Sequence, residues 1–187
     1  MRKFLKIITA TTVAIISLIA IVFVLCNLRP VDLQEKADTL KAYCQQYGYN
    51  TDYGILVDFG RFSLQKRIYV YDFNENEVVV KSLGGHGSGG NSTILRADFS
   101  NAHGSHCSSL GHYKLGRRRY MYNRPGVPAF ELIGLDKTNS NALNRGILIH
   151  PAVGPLSWGC VTLPVVRYHQ LSEILKTQSN MIMWVYE

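Results

Sequence analysis

Two side chains carry the most reactive chemistry in this chain. His150 ends the apolar run Gly146-Ile147-Leu148-Ile149, and Cys160 lies in Ser157-Trp158-Gly159-Cys160-Val161. A free thiol, with a reference pKa of roughly 8.5, is a modest nucleophile near neutral pH. An imidazole within hydrogen-bond reach can take its proton, and the thiolate then attacks a carbonyl. Gly159 allows close backbone approach, and the amides around Cys160 are candidate donors to the oxyanion formed by such an attack. The pair therefore suits Cys–His acyl transfer, with Cys160 as nucleophile and His150 as base. The plainer alternative is a packed cysteine beside a hydrogen-bonded strand-end histidine, because free cysteine is among the most buried residue types. One Cys/His pair does not choose between the two.

The elements that must position this pair read as mainly β. Residues 53–59, 67–73 and 77–83 alternate as strands joined by short turns, which makes a meander. Residues 113–122 form a further strand or hairpin, with Arg117-Arg118-Arg119 expected in a solvated turn. Short strands are expected at 130–134, at the run ending on His150, and at 181–186. After Cys160, residues 164–176 read as an amphipathic helix with proline at its start, burying Val165, Tyr168, Leu171, Ile174 and Leu175. A second helix is expected over 32–47, with Leu33, Ala37, Leu40 and Tyr43 or Cys44 on one stripe and Gly48 ending it.

Ahead of that helix, Ile7 to Cys26 is apolar or small and uncharged. Such a run rises roughly 30 Å as a helix, the thickness of a hydrocarbon core. Residues 1–29 are therefore expected to be a single-pass membrane anchor, 30–52 a juxtamembrane helix and linker, and 53–187 the catalytic domain. Arg2, Lys3 and Lys6 favour a cytoplasmic N-terminus, which puts the catalytic domain outside the cytoplasm. These three also contribute to a net charge of +7, so the remaining excess is mild. No zinc-finger spacing, aromatic RNP pattern or basic helix is present, so no nucleic-acid partner is expected. The cysteines Cys26, Cys44, Cys107 and Cys160 are widely spaced, which argues against a disulfide framework.

Two further stretches stand out. Gly84-Gly85-His86-Gly87-Ser88-Gly89-Gly90 permits close backbone approach, but no Gly-Lys-Ser/Thr follows to make it a phosphate loop. His103, His106 and Cys107 have zinc-compatible side chains on a Gly/Ser-rich segment, without a second ligand pair. A polar loop lining a substrate cleft is the other reading, and no metal or cofactor is expected.

Taken with their order, these blocks resemble the L,D-transpeptidase catalytic domains, in the murein L,D-transpeptidase catalytic-domain-like branch. The resemblance rests on His86-Gly-Ser-Gly, Phe99-Ser-Asn101, Gly104-Ser105, Ser108-Ser-Leu-Gly111, Gly134-Leu135, Asn144-Arg145, His150 and Ser157-Trp-Gly-Cys160. It implies a β-sandwich with a C-terminal helix and Cys160 on a loop in a cleft. In the family, the cysteine attacks the carbonyl of a donor stem tetrapeptide of peptidoglycan and releases terminal D-alanine. The acyl group then passes to the side-chain amine of a diamino acid, or to water. Carried over, Cys160 is nucleophile and His150 is base, oriented by a backbone carbonyl or a hydroxyl. Gly159 and Cys160 supply oxyanion amides, with Ser157 and Trp158 as support. His86, Ser108, Ser109, Gly111 and Arg145 are the substrate-binding candidates.

The chain departs from that pattern in three places. Only six residues separate His150 from Ser157, where the family has a longer loop. Thr162 stands where many members have an arginine, a loss that Arg145 or the Arg117–Arg119 run would have to make good. His103, His106 and Cys107 replace other residues. The alternatives to transpeptidation are therefore a hydrolase of the same fold, an L,D-carboxypeptidase, or an inactive module holding peptidoglycan or zinc.

Overall fold

The computed structural model describes residues 11–22, 24, 33–121 and 124–187. It divides into Met1–Asp32 and Leu33–Glu187. In the first unit, residues 11–22 and 24 are helical. Among the described residues, no helix is long and apolar enough to cross a membrane. The rest of the expected anchor, Cys26 included, lies outside the described residues.

The second unit runs α1 (Gln34–Tyr47), β1 (Tyr53–Asp58), β2 (Ile68–Asp72), β3 (Glu77–Ser82), β4 (His86–Gly87), β5 (Gly111–Met121), β6 (Arg124–Gly134), β7 (Leu148–Pro151), β8 (Leu156–Ser157), β9 (Val161–Leu163), α2 (Val165–Thr177) and β10 (Ile182–Tyr186). Eight strands form one sheet in the order β3-β2-β1-β10-β5-β6-β7-β9, and β4 pairs with β8 separately. The fold is mainly β with a C-terminal helix, as expected. The strands pair as one large sheet and a two-stranded companion.

The antiparallel meander β1–β2–β3 follows from alternation and short turns. The insertion of β10 between β1 and β5, parallel to β1, does not. Strand β1 is buried on both faces at Ile55, Leu56 and Val57. Helix α1 covers one of these faces with Ala37, Leu40 and Cys44, so it is docked on the sheet. Gly54 allows that approach, since a Cβ there would sit 2.5 Å from the Phe73 ring and 2.8 Å from Leu40. The helix stops at Gly48, whose φ of 70° is left-handed and whose N–H donates to Cys44 O. The Tyr43 ring stacks on His112 at 3.9 Å, and Trp184 stacks on that ring at 5.3 Å.

At the other end of the sheet, Gly85, just after β3, exchanges backbone bonds with Thr162 on β9 (2.8 and 3.2 Å). The two ends of the strand order thus meet at this bridge. Helix α2 starts after Pro164 and buries Tyr168 and Leu171 in the core. Val165 is exposed rather than buried, and Ile174 and Leu175 pack at the core's margin. The arginine run also differs from expectation: Arg117–Arg119 lie within strand β5, not in a turn. Glu131 on β6 holds them there, accepting from Arg119 Nη2 at 2.5 Å and from Arg117 Nε at 3.3 Å.

Candidate active site

Strands β7 and β9 are parallel, with Ile149 opposite Val161 and His150 opposite Thr162. One step back along the same register, the Leu148 amide donates to Cys160 Sγ at 3.4 Å. Ile149 and Val161 face the hydrophobic core. His150 follows Ile149 in β7 and, because side chains alternate along a strand, lies on the opposite face. His150 and Cys160 are half-buried.

His150 Nδ1 lies 3.0 Å from Pro151 O. A carbonyl can only accept, so Nδ1 carries the proton and Nε2 the lone pair in the neutral ring. The orienting group is thus a backbone carbonyl. Burial pushes the Cys160 thiol pKa up, and the Leu148 amide and the Arg145 charge pull it only part of the way back. A thiol held up in this way favours its protonated form, and attack from that form needs a base to remove the proton.

The loop that carries Cys160 is tied down from both sides. Ser157 Oγ donates to Cys160 O at 2.7 Å and accepts the Gly159 N–H at 3.2 Å. The Gly159 amide is therefore occupied at rest, which leaves the Cys160 amide as the candidate oxyanion donor of the expected pair. Gly159 itself has φ of 106°, and a Cβ there would sit 2.8 Å from both Cys107 O and Ile147 Cδ1. Trp158 is 76% exposed and stacks on His106 at 5.3 Å.

The residues expected to line the cleft have different places. His86 is fully buried, so it does not contact a substrate in this structure. Its Nδ1 accepts from Arg67 Nη2 at 2.7 Å, and its Nε2 donates to Thr93 O at 3.0 Å. Burial and the Arg67 charge push its pKa down. Ser108 is buried as well, with its Oγ accepting from Gly87 N at 2.9 Å and donating to Gly159 O at 3.3 Å. Ser109, also buried, bonds Tyr113 OH at 2.7 Å. Gly111 opens β5 with φ of 121°, packed against Asp136 and Asn139. These four brace the cysteine loop or the sheet beneath it.

Arg145 borders a polar cavity with His103, His106 and Trp158, and Ser109 borders another with Phe99 and Asn101. Four contacts of Arg145 go to the segment before β5: Ser100 O at 2.9 Å, Cys107 O at 2.5 Å, Ser105 Oγ at 3.3 Å and Ser109 Oγ at 3.5 Å. The glycine run 84–90 makes room for that same segment. A Cβ on Gly87 would collide with His106 O and Ser108 N, and one on Gly89 with Ser105 O. Close backbone approach is thus the use of those glycines.

Two cavities flank the loop. An apolar one of about 290 Å³ is bounded by Leu64, Ile94, Val153 and Thr162. A polar one of about 200 Å³ is bounded by His103, Gly104, His106, Arg145 and Trp158. Among the described residues, no three His, Cys, Asp or Glu side chains converge on a metal position. The zinc alternative through His103, His106 and Cys107 thus lacks a cluster. Cys44, Cys107 and Cys160 are all free.

Sequence reasoning missed two contributors to this site. Arg67 is fully buried, with its guanidinium donating to Gly84 O and His86, and it gave no signal beyond its place at a strand start. His106 was noted as a zinc-compatible residue but not as the partner of Trp158. Its position in a Gly/Ser loop conceals that pairing.

The family model described as L,D-transpeptidase catalytic domain matches residues 28–184, and the chain belongs to that family. No curated protein matches the chain. Among solved structures, the helical cell shape determining protein Pgp2 from Campylobacter jejuni is 16% identical, with a TM-score of 0.51 over 84% of this chain and 57% of that one. An L,D-transpeptidase from Mycobacterium smegmatis is 12% identical, with a TM-score of 0.45 over 73% of this chain and 59% of that one. Bd1075 from Bdellovibrio bacteriovorus is 18% identical, with a TM-score of 0.46 over 75% of this chain and 49% of that one. The chain thus spans only about half to three-fifths of the length of these structures.

Proposed function

We propose that this protein is a cysteine acyltransferase acting on peptidoglycan stem peptides by L,D-transpeptidation. Cys160 attacks the carbonyl of a donor tetrapeptide while His150 Nε2 takes the thiol proton. The resulting imidazolium gives that proton to the departing amine of terminal D-alanine, leaving a thioester on Cys160. An amine of a diamino acid on a second stem then attacks the thioester. His150 accepts the amine's proton and returns one to the sulfur as the new amide forms. With water as acceptor, the same thioester gives hydrolysis, the carboxypeptidase outcome.

The observation that carries this reading is the β7–β9 register. In its support, Leu148 of β7 donates to Cys160 Sγ, and His150 lies two residues further along that strand with its Nδ1 3.0 Å from Pro151 O. Family membership supports the substrate class. The apolar run 7–26 with Arg2, Lys3 and Lys6 ahead of it supports membrane attachment and a catalytic unit outside the cytoplasm, where that substrate lies.

Incubation with a tetrapeptide donor, with and without a diamino-acid acceptor, tests the function. The wild type is expected to release D-alanine in both cases and to form cross-linked product only with the acceptor. Release without cross-linked product makes the enzyme a carboxypeptidase. No release by the wild type would favour the inactive module.

A further inference from the structure

The apolar cavity of about 290 Å³ gathers exposed aliphatic side chains from three separate loops. Leu64 comes from residues 60–67, Ile94 and Leu95 from 92–96, and Val153 from 152–155. All four are exposed, Ile94 to 63% and Val153 to 91%. Among the described residues, no charged side chain borders the cavity. An apolar cluster left in water in this way marks a surface that meets hydrocarbon or another apolar face.

Polar groups beneath the cluster hold it in place. Thr93 N donates to Arg96 O at 2.9 Å, and Thr93 Oγ1 accepts the Leu95 and Arg96 amides at 3.2 and 3.0 Å. This closes a tight turn with Ile94 and Leu95 at its tip. Ser63 N donates to Leu95 O at 3.0 Å and joins that turn to the loop of Leu64. The buried Arg67–His86 pair, which the acyl chemistry does not use, reaches all three loops. Arg67 Nη1 donates to Arg61 O at 3.2 Å, His86 Nε2 donates to Thr93 O at 3.0 Å, and the His86 amide donates to Pro155 O at 3.0 Å.

The charge around the cluster has one sign. The three loops contain Arg61, Lys66, Arg67 and Arg96 and no acidic residue. Arg96 is exposed, with its guanidinium 4.7 Å over the Phe62 ring. Of the flanking carboxylates, Asp98 accepts the Asn91 and Phe99 amides, and Asp58 faces Arg61.

We propose that this cluster is a membrane contact of the catalytic unit itself. Leu64, Ile94, Leu95 and Val153 enter the interface of an anionic bilayer, and Lys66 and Arg96 meet its phosphate headgroups. Aliphatic tips flanked by cations are what such an interface takes up. The cavity between them suits hydrocarbon and offers no partner to the ionised groups of a stem peptide. The inference rests on the membrane attachment proposed above and goes beyond the acyl chemistry. With the apolar run 7–26 as a tether, a contact too weak to bind alone is populated. Val153 lies between His150 and Cys160 in the chain, so the contact sets how the cysteine loop faces the surface.

Hydrogen–deuterium exchange of the full chain on vesicles tests this contact, with flotation as the check on attachment. Peptides covering residues 62–66, 92–96 and 152–155 should exchange about ten-fold or more slowly on phosphatidylglycerol than on phosphatidylcholine vesicles. The double variant Ile94→Ser, Val153→Ser should lose that slowing and still float. Both positions are exposed, so its thermal unfolding should match the wild type. The double variant Lys66→Gln, Arg96→Gln should reduce the slowing to about two-fold or less. A wild type that floats without slowing at these peptides would overturn the contact and leave the attachment standing. Equal slowing on both lipids, or undiminished slowing in the Ile94, Val153 variant, would overturn it as well. A wild type that does not float would overturn the attachment, and this contact with it.

Discussion

The Leu148 amide donates to the Cys160 sulfur at 3.4 Å, which ties the thiol to the strand that carries His150 two residues further on. This contact explains how a connection of only six residues between His150 and Ser157 is enough. Parallel pairing of β7 with β9 sets the backbone register, and residues 152–160 carry the chain back to the start of that register.

If His150 is the base, its removal must slow formation of the thioester more than it weakens binding. His150→Gln keeps a side chain of similar reach but no group that takes a proton. Single-turnover acylation by a tetrapeptide donor is expected to slow by about 10²–10⁴-fold, with donor affinity changed by less than about three-fold. A loss confined to affinity would assign His150 to binding.

The thiol's ionisation gives a pH prediction with a defined sign. Burial raises the Cys160 pKa, and the Arg145 charge opposes that rise. The rate of alkylation by iodoacetamide should therefore reach its midpoint at a higher pH than for free cysteine in the same buffer. Arg145→Met removes the opposing charge and should move the midpoint higher still. A wild-type midpoint below that of free cysteine would show a resting thiolate and contradict the raised thiol pKa.

Ser157 accepts from one side of the loop and donates to the other, so its hydroxyl holds the turn that presents Cys160. Ser157→Ala should cost about 1–2 kcal/mol of stability, read by denaturant unfolding. It should also lower kcat about ten-fold or more with KM little changed, because the loop is held less firmly at the reacting carbon. An unchanged kcat would place the hydroxyl outside the machinery.

Much of this architecture was legible locally. The meander, both helices and the Gly48 stop follow from periodicity and turn chemistry, and Cys160 with His150 stood out by residue type. The central place of β10 was not legible, because pairing across more than a hundred residues leaves no mark in either segment. The burial of His86 was hidden for a related reason. Its partner Arg67 lies nineteen positions away, and a histidine among glycines reads as a loop residue until that partner is seen. The Arg117–Arg119 run read as a turn because Glu131, its cross-strand counter-charge, is on the neighbouring strand.

The buried Arg67 is itself testable. Burial pushes its guanidinium pKa down to about 10, with Asp58 opposing the fall. Arg67→Met removes a costly buried charge but leaves Gly84 O and His86 Nδ1 without a donor. The expected net effect is a loss of about 1–3 kcal/mol in denaturant unfolding. Equal or greater stability would mean that relief of the buried charge outweighs the lost hydrogen bonds.

The central claim is that Cys160 forms the covalent bond to the substrate. Intact-mass spectrometry of the protein incubated with a tetrapeptide donor, without acceptor, tests it most directly. The wild type should gain the mass of the donor minus D-alanine, and Cys160→Ala should gain nothing. The same adduct on Cys160→Ala would contradict the account.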